Sequence, residues 1–517
     1  MLAIAGAVIF ALLPGWQWLL IILVPIILMG LYDIIQRSHS LWRNFPIVGR
    51  IRWVMEALRP YLRSYIVEGD LEGRPFDRDS RALIYARAKG QNDSHPFGTE
   101  LDVYSDEYEW MSHSIMPNKD ADKAWRVRVG TAQCSKPYMA APLNISAMSF
   151  GSLGANAIEA LNRGAAQGGF YHDTGEGAVS KYHRAGGGDL VWEIGNGYFG
   201  CRRDDGGFDL DQFRDIARDD QVKMIEIKLS QGAKPGHGGV LPAAKVTPEI
   251  AEARGVDVGQ ACVSPPGHST FSSPAGLLEW AAKLRSESGG KPIGIKLCVG
   301  APHEVFAISK AMRETGILLD YIVVDGAEGG TGAAPVELSN RVGMPLREGL
   351  LLVRNALVGC DLKDKVKLAA AGKVSNGAGL AANAAFGADW SNAARAFMFS
   401  LGCVQSMRCH LGTCPTGVAT MDKGRQHGLV VTDKAQRVAR FQKETVESLT
   451  EIVAAMGLAN PGEIEPHHFF ERLNGAQTRN APEIYPFLGT GDLIDNPEHT
   501  PYSELWKQAQ ASSFKAA

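Results

Sequence analysis

From about Ala140 onward, short apolar runs alternate with longer stretches in which apolar residues recur every three or four positions. The short runs predict buried parallel strands, and the periodic stretches predict helices that pack on them. The predicted strands are Leu143–Ala147, Gly169–His172, Met224–Leu229, Ile293–Leu297, Tyr321–Val324, Lys367–Ala371 and Asp389–Ala393. The predicted helices include Ala155–Gln167, Pro274–Ser286, Glu304–Glu314 and Ala435–Met456. Because the strand count approaches eight, the pattern favours a closed (β/α)8 TIM barrel over an open doubly wound sheet.

A different pattern precedes this alternation, since residues 2–32 are apolar with a break at Pro14-Gly15. Leu2–Leu13 is too short to span a bilayer, whereas Trp16–Tyr32 carries no charge and approaches the ~20 residues that a spanning helix needs. Four arginines follow this segment and nothing basic precedes it: Arg37, Arg43, Arg50 and Arg52. The positive-inside rule then places the bulk of the chain in the cytoplasm, at the inner membrane. A buried helix of a soluble domain is the alternative, and the absence of an N-terminal Lys or Arg disfavours a signal peptide.

These patterns divide the chain into four parts. Residues 1–35 are predicted to be a membrane anchor, either one span or a short helical hairpin, and residues 36–139 a partly helical lead-in. Residues 140–455 are predicted to form the barrel, and residues 456–517 a C-terminal extension that begins after a long amphipathic helix. No G-x-G-x-x-G motif opens the strand series, which argues against a dinucleotide-binding sheet.

Composition narrows the function. The net charge of −3 over 517 residues gives no sign of nucleic acid as a partner. The 58 glycines cluster in short motifs rather than in low-complexity tracts, which is typical of close approach between backbone and ligand. Gly372 and Gly377 follow one predicted strand, and a small-residue strand comes next. In a barrel, the loops after strands 7 and 8 commonly bind a phosphate, so these exits are a candidate cradle.

The chain has 8 cysteines, three of which lie close together with the spacing C-x5-C-x4-C: Cys403, Cys409 and Cys414. Thiolates on a short, sharply turning loop are typical iron–sulfur ligands, and three ligands favour a three-iron cluster over a four-iron one. Two alternatives remain at this point. One is a zinc site with His410 as the fourth ligand, and the other is three unrelated buried thiols.

The segment from Cys409 to Thr420, CHLGTCPTGVAT, resembles the synthase domain of the glutamate synthase family nearly residue for residue. Further segments are similar to that family over about residues 140–455: Ser146–Gly151, His172–Gly177, Glu226–Lys234 and Asp325–Gly332. The lead-in resembles membrane-anchored bacterial forms that lack the glutaminase domain. The resemblance implies a barrel that binds FMN, and a 3Fe–4S cluster held by Cys403, Cys409 and Cys414.

The resemblance also implies roles for individual residues. Lys296, in the motif GIKL, is expected to be catalytic and to place a positive charge near the flavin ring, with Lys228 as the second choice. Either lysine is alternatively a strand-end residue that extends its amine to solvent. The flavin phosphate is expected at Gly372, Lys373 and the Asn392–Arg395 turn, with Arg395 supplying charge. Further cofactor-binding residues are expected to be Met148, Ser149, Gln231 and Gly330.

The implied substrate is an imine formed from 2-oxoglutarate, or a related 2-oxo acid, and ammonia. Met148, Ser149 and Glu176 are expected to line its site, and Glu176 is either catalytic or a structural acceptor of loop amides. Reductive amination to glutamate would need an external electron donor. Ammonia would come free or from an amidotransferase subunit, because no domain for glutamine hydrolysis is recognised in the chain. The alternatives are an FMN-dependent oxidase or dehydrogenase of an α-hydroxy or amino acid, and a non-catalytic membrane-bound scaffold.

Overall fold

The computed structural model describes Gly15 and residues 17–517, so the predicted segment Leu2–Leu13 lies outside the described residues. The chain forms two compact units, one extending to Asp79 and the other comprising Ser80–Ala517. Each unit is described by itself below.

The first unit is helical. A 3-10 turn, Gln17–Leu19, continues into helix Leu20–Ile35. Together they give 19 helical residues that are long and apolar enough to cross a membrane, and only 11% of the most apolar stretch is buried. The short helix Ser40–Asn44 and the longer helix Arg50–Leu62 follow, and the latter ends in a π turn over Arg63–Val67.

The second unit is built on eight parallel strands that close into a barrel, as predicted. In chain order, strands 1 to 8 are Leu143–Ile145, His172–Asp173, Leu190–Ile194, Val222–Lys228, Ile293–Leu297, Tyr321–Asp325, Lys367–Ala371 and Trp390–Ala393. Strand 8 pairs with strand 1 through Ser391 and Leu143, which closes the ring. The sequence prediction omits strand 3, because only the short helix Lys181–Arg184 separates it from strand 2 in place of a full crossover helix.

Helices surround the barrel and extend beyond it. Their bounds are Arg78–Lys89, Ala155–Gly168, Leu210–Ala217, Pro248–Arg254, Pro274–Glu287, Pro302–Thr315, Val336–Arg341, Leu346–Gly359, Gly377–Ala385, Arg395–Ser400, Lys423–His427, Val431–Ala455, Ala481–Ile484, Asp492–Asp495 and Ser503–Gln508. Short 3-10 turns lie at Ala243–Lys245, Cys409–Leu411, Pro461–Glu463, Pro466–His468 and Pro497–His499. Some helix starts carry side-chain caps: Ser273 Oγ accepts from the Gly276 amide directly before Pro274, and Asn376 Oδ1 accepts from the Gly379 amide.

Smaller sheets flank the barrel. The hairpin of Val127–Val129 and Tyr138–Ala140 packs into the apolar core cluster of the barrel. An antiparallel sheet joins Glu109–Met111 to Phe469–Asn474 and Gln477–Asn480. A third pair, Val240–Leu241 with Cys262–Val263, belongs to a long insertion between strand 4 and helix Pro274–Glu287, residues 230–273.

The barrel interior changes character along the strands. The apolar layer contains Tyr171, Val191, Met224 and Val323, with Trp390 packed beside them. Side chains on one face of a strand recur every second residue, so the next inward positions are Asp173, Glu193, Glu226 and Asp325. The core therefore gives way to buried charge at the carboxyl ends of the strands, where barrel enzymes place their chemistry.

Candidate active site

Two lysines meet one glutamate at the carboxyl ends of strands 3, 4 and 5. Lys296 Nζ donates to Glu193 Oε2 at 2.6 Å, and Lys228 Nζ lies 4.0 Å from Glu193 Oε1. Glu193 is 1% exposed, so its charge is compensated by these lysines rather than by water. Both lysines are predicted site residues, and the structure brings them together. Glu193 was not predicted, because it lies on the strand that the sequence prediction omits.

Three buried carboxyl groups share this end of the barrel: the carboxylate oxygens of Asp173, Glu193 and Glu226 lie within 4.8 Å of one another. Burial, and then the negative charge of Glu193, raises the pKa of Asp173 to about 7. Burial and the charge of Asp173 raise the pKa of Glu226 well above its usual range. Burial opposes the charge of Lys296, but Glu193, Glu226 and Asp173 together hold its pKa above the ordinary value. The cluster therefore holds a proton on its carboxyl groups close to neutral pH.

Glu176 lies beside this cluster, with its Oε2 atom 3.2 Å from Lys228 Nζ. A Cβ atom at Gly239 would lie 2.1 Å from Glu176 Oε1, and one at Gly195 would lie 2.8 Å from Glu176 Cβ. Glycine is thus required at both positions for Glu176 to reach the lysine. Burial acts to raise the pKa of Glu176, but Lys228, Lys234 and Arg254 outweigh it and lower the pKa. The Glu176 carboxylate is therefore an ionised hydrogen-bond acceptor surrounded by cationic side chains.

The insertion at residues 230–273 supplies two cations that the sequence analysis did not single out, Lys234 and Arg254. Both are buried, at 5% and 4% exposure, and Arg254 Nη2 donates to the Phe150 carbonyl. The Nε atom of Arg254 is buried without a hydrogen-bond partner. A buried guanidinium donor that the protein leaves unsatisfied is suited to an anionic ligand. For Arg254, the only sign of a functional role in the sequence is a single arginine in a segment without periodicity.

Residues predicted to contact the cofactor form a second group at the ends of strands 6, 7 and 8. Arg395 Nη2 donates to the Glu328 carbonyl at 2.5 Å, and a Cβ atom at Gly330 would lie 2.7 Å from Arg395 Nε. Gly372 has φ +149° and Lys373 has φ 44°, so strand 7 ends in a conformation that turns its backbone sharply. The structure thus brings Gly330, Gly372, Lys373 and Arg395 to one end of the barrel.

One member of the predicted phosphate turn serves another purpose. Asn392 Oδ1 accepts hydrogen bonds from Tyr171 Oη at 2.6 Å and from Trp390 Nε1 at 3.2 Å. Its side chain therefore belongs to the barrel interior.

The other predicted residues join the two groups. Gln231 Oε1 accepts from Lys228 Nζ, and the amide of the next residue, Gly232, donates to Asp325 Oδ2 at 2.8 Å. Met148 and Ser149 are buried after strand 1, where a Cβ atom at Gly175 would lie 2.8 Å from the Ser149 amide nitrogen. The predicted residues of the barrel therefore all lie at its carboxyl end.

The three predicted cysteines lie on a loop that turns sharply, with positive φ at Gly402, Gln405, Met407, Gly412 and Gly417. Lys245 Nζ donates to the Cys409 carbonyl at 2.7 Å, and Tyr85 Oη donates to the Cys403 carbonyl at 2.5 Å. Cys414 Sγ lies 3.4 Å from Thr416 Oγ1. Burial raises the pKa of Cys403 to about 12, whereas amide donors around Cys414 outweigh burial and lower its pKa.

The spacing of these thiols bears on the zinc alternative. Among the described residues of the second unit, the buried carboxyl cluster is a group of three ligand atoms that lie within 4.8 Å of one another. The cysteines do not form such a group, and His410 is exposed. A single zinc ion needs four ligands at about 2.0–2.3 Å from one point, so the arrangement does not match a closed zinc site.

The closed (β/α)8 barrel, with buried charged residues at the carboxyl ends of its strands, is the architecture of a barrel enzyme. The chain belongs to the glutamate synthase family, a family of oxidoreductases, because the model of the conserved region in glutamate synthase matches residues 99–459.

Known relatives agree with this assignment. The glutamate synthase large subunit-like protein YerD of Bacillus subtilis is 35% identical over 87% of this chain and 94% of its own length. The archaeal-type glutamate synthase [NADPH] of Thermotoga sp. strain RQ2 is 32% identical over 66% of this chain and 64% of its own length. Among solved structures, a mandelate oxidase covers 83% of this chain at 13% identity, with a TM-score of 0.43. The chain thus spans nearly all of YerD and less than two thirds of the Thermotoga enzyme.

Proposed function

We propose that this chain is a membrane-anchored, glutamate synthase-like flavoprotein that reductively aminates 2-oxoglutarate, or a related 2-oxo acid, to the amino acid. FMN and a 3Fe–4S cluster are its proposed cofactors. The observation that carries the proposal is the buried cluster of Lys296, Glu193, Glu226 and Asp173 at the barrel mouth, in a chain of this family. Bound FMN would supply the hydride that reduces an imine carbon.

The residues at the barrel mouth fit a flavin. Glu226 Oε1 and Arg254 Nε are buried there without hydrogen-bond partners, as expected of atoms that face a ligand. Gly372, Lys373 and Arg395 would hold the phosphate through backbone amides and a guanidinium. Lys296, with Gln231 and Gly330 nearby, would place positive charge beside the ring. The backbone of Met148 and Ser149 would bound the ring and substrate on the side of strand 1.

The cysteine loop fits a cluster. Its reversals at Gly402, Gly412 and Gly417 let amides approach the sulfurs, and Gln405 N already donates to Cys403 Sγ at 3.5 Å. Cys403, Cys409 and Cys414 would be the ligands. Lys245 lies close to the Cys409 and Cys414 thiols, so its charge would offset part of the negative charge of the thiolates.

The charged residues at the barrel mouth would have different roles toward the substrate. Arg254 and Lys234 would bind the carboxylates, because both are buried cations near Glu176 and Arg254 Nε has no hydrogen-bond partner. Glu176, held ionised by Lys228, would accept from the nitrogen of the imine and orient it. The proton shared by Asp173 and Glu226, in the same cluster as Lys296, would be the proton source for the substrate carbon.

We propose ammonium, free or from a separate amidotransferase subunit, as the nitrogen source, and an external electron donor. The helix Gln17–Ile35 would anchor the chain in the cytoplasmic membrane with the barrel on the cytoplasmic side.

The test combines cofactor analysis with turnover. The full chain, purified in detergent, is expected to hold one FMN and about three irons per chain. With a reduced dye as donor it is expected to consume 2-oxoglutarate and ammonium and to release glutamate. Glutamine in place of ammonium is expected to give no turnover. A flavin-containing chain with no iron that oxidises α-hydroxy acids would overturn the proposal, as would a chain that binds no flavin.

A further inference from the structure

The helix Arg50–Leu62 of the first unit has one apolar face. At about 100° per residue, side chains three and four positions apart lie on the same side of a helix. The residues Ile51, Val54, Met55, Leu58 and Leu62 follow this spacing. Their side chains are 43–55% exposed in the described chain, which is unusual for five large apolar residues in a row along one face.

One flank of this face is cationic. Arg52 and Arg59 lie together about 100° around the helix from its centre, Arg63 continues this line in the π turn, and the acidic neighbour Glu56 is paired with Arg52 at 3.0 Å. An apolar stripe bordered by arginines is the pattern of a helix that lies in the plane of a membrane surface. Protein partners of neutral charge would not need the arginines, whereas anionic lipid headgroups attract them.

A partly buried ion pair holds the start of this helix against the end of the apolar helix. Asp33, two residues before the end of helix Leu20–Ile35, is fully buried and accepts from Arg50 Nε at 3.0 Å and from the Ile47 amide at 2.9 Å. The guanidinium of Arg50 also lies 4.3 Å from the ring centre of Trp42. The start of the amphipathic helix is therefore held against the end of the apolar helix. If the apolar helix spans the bilayer, its end lies at the interface, and Arg50 lies there too.

We propose that Arg50–Leu62 is an interfacial helix whose apolar face inserts into an anionic leaflet, directly beside the point where Gln17–Ile35 leaves it. The inference rests on the proposed membrane anchor and adds a second element that contacts lipid. The bilayer would cover the face that the protein leaves open, and the arginines would lie at the level of the headgroups.

The experiment is hydrogen–deuterium exchange on the full chain in nanodiscs. The nanodiscs contain phosphatidylcholine alone or phosphatidylcholine with phosphatidylserine, and exchange is followed by mass spectrometry in peptides that cover residues 50–62. Exchange in this segment is expected to slow by about tenfold or more when phosphatidylserine is present. Exchange in the barrel strands is expected to be equal in both lipids.

Two variants with the same change in net charge separate the faces. Leu58→Glu places a carboxylate on the apolar face, and Ala57→Glu places one about 100° away on the neighbouring position. Leu58→Glu is expected to lose the lipid-dependent protection, whereas Ala57→Glu is expected to keep most of it. An equal response of the two variants would overturn the proposal.

Three other outcomes would contradict the interfacial helix or the anchor. Protection that grows with protein concentration in detergent and ignores phosphatidylserine would assign the face to a second copy of the chain, against the proposal. Incorporation into nanodiscs without any protection of residues 50–62 would overturn the interfacial helix and leave the anchor intact. Recovery of the full chain in a detergent-free supernatant would overturn the anchor itself.

Discussion

At the scale of single residues, Glu193 is the group on which the charge balance of the site depends. It lies between Lys296 at 2.6 Å and Lys228 at 4.0 Å, and it is shielded from water. Without it, Lys228 would keep Glu176 at 3.2 Å, but Lys296 would lose its nearest counter-charge. Removal of one partner of a buried pair costs about 3–5 kcal/mol, so Glu193 and Lys296 are coupled in stability.

Lys296→Met should lower the midpoint potential of bound FMN and slow turnover with 2-oxoglutarate by about 100-fold. The reason is that the substitution removes the buried cation nearest the carboxyl cluster. Spectroelectrochemical titration and steady-state assays measure the two effects. Because the single variant leaves the buried Glu193 with only the more distant Lys228, at 4.0 Å, as a counter-charge, the double variant Lys296→Met/Glu193→Gln should be more stable than the single one. The exposed Lys283→Met is the control, and a Lys296→Met enzyme that matched it would transfer the role to Lys228.

The proton held by Asp173 predicts how stability depends on pH. Burial and Glu193 raise its pKa from 3.8 to about 7, so between these values the folded chain binds a proton that the unfolded chain releases. The contribution of this proton to the free energy of unfolding is complete below about pH 4. It is lost as the pH rises through about 7, at up to about 1.4 kcal/mol per pH unit. Asp173→Asn should therefore flatten the decline in unfolding free energy between pH 5 and 8, measured by urea denaturation at about unit intervals.

The exposed Asp364→Asn serves as the matched substitution and should leave the pH dependence unchanged. If Asp173→Asn also left it unchanged, the shared proton would have to reside on Glu226 throughout this range.

At the scale of elements, the structure shows which parts of the fold a sequence reveals. Seven strands were predictable because each is a short apolar run followed by a recognisable polar exit. Strand 3, Leu190–Ile194, is just as apolar, but the helix before it spans only Lys181–Arg184, so the expected strand–helix rhythm is broken. Its loss from the prediction also removed Glu193, because an inward-facing charge is recognised only once its strand is placed.

The position of a candidate site residue was predictable where it lies at the end of its strand, as Lys296 does, or shortly after it, as Gly372 and Glu176 do. Arg254 was not, because it reaches the barrel mouth from an insertion whose path depends on tertiary contacts, such as Gly239 against Glu176. The side chain of Asn392, in strand 8, faces the core, because Tyr171 and Trp390 donate hydrogen bonds to it. The phosphate contact expected of the turn up to Arg395 involves backbone amides and stays a prediction.

The cysteine loop leads to a prediction at this scale. Cys409→Ser should abolish the EPR signal of the proposed oxidised cluster and reduce the iron content while FMN is retained, because the proposed cluster ligands and the proposed flavin-binding residues lie on different loops. The control is Cys134→Ser, since Cys134 Sγ donates to the Gly290 carbonyl at 3.2 Å and a serine hydroxyl can do the same. Iron equal to that of the control would show that Cys409 is not a ligand.

At the scale of the whole molecule, the two units predict a stepwise release from the membrane. Deletion of residues 1–35 removes the apolar helix and keeps the arginine-bordered helix Arg50–Leu62. The shortened chain should sediment with anionic vesicles at low salt and dissociate as salt rises, since surface charge attraction is screened. Deletion through Asp79 should abolish the association, with FMN and iron retained in the second unit. Salt-resistant binding of the second product would place a lipid contact on the barrel unit.

The closure of the barrel has a consequence for the order of events during synthesis. Leu143 in the first strand pairs with Ser391 in the last strand, and the ribosome adds Ser391 about 250 residues later. At about 5–20 residues per second, roughly 12–50 s separate the two partners, and the growing sheet carries an unpaired edge throughout. The apolar helix Gln17–Ile35 leaves the ribosome long before this point. A nascent chain that is targeted by this helix would therefore be attached to the membrane before its barrel can close. Attachment would keep the unpaired strand edges of different nascent chains apart.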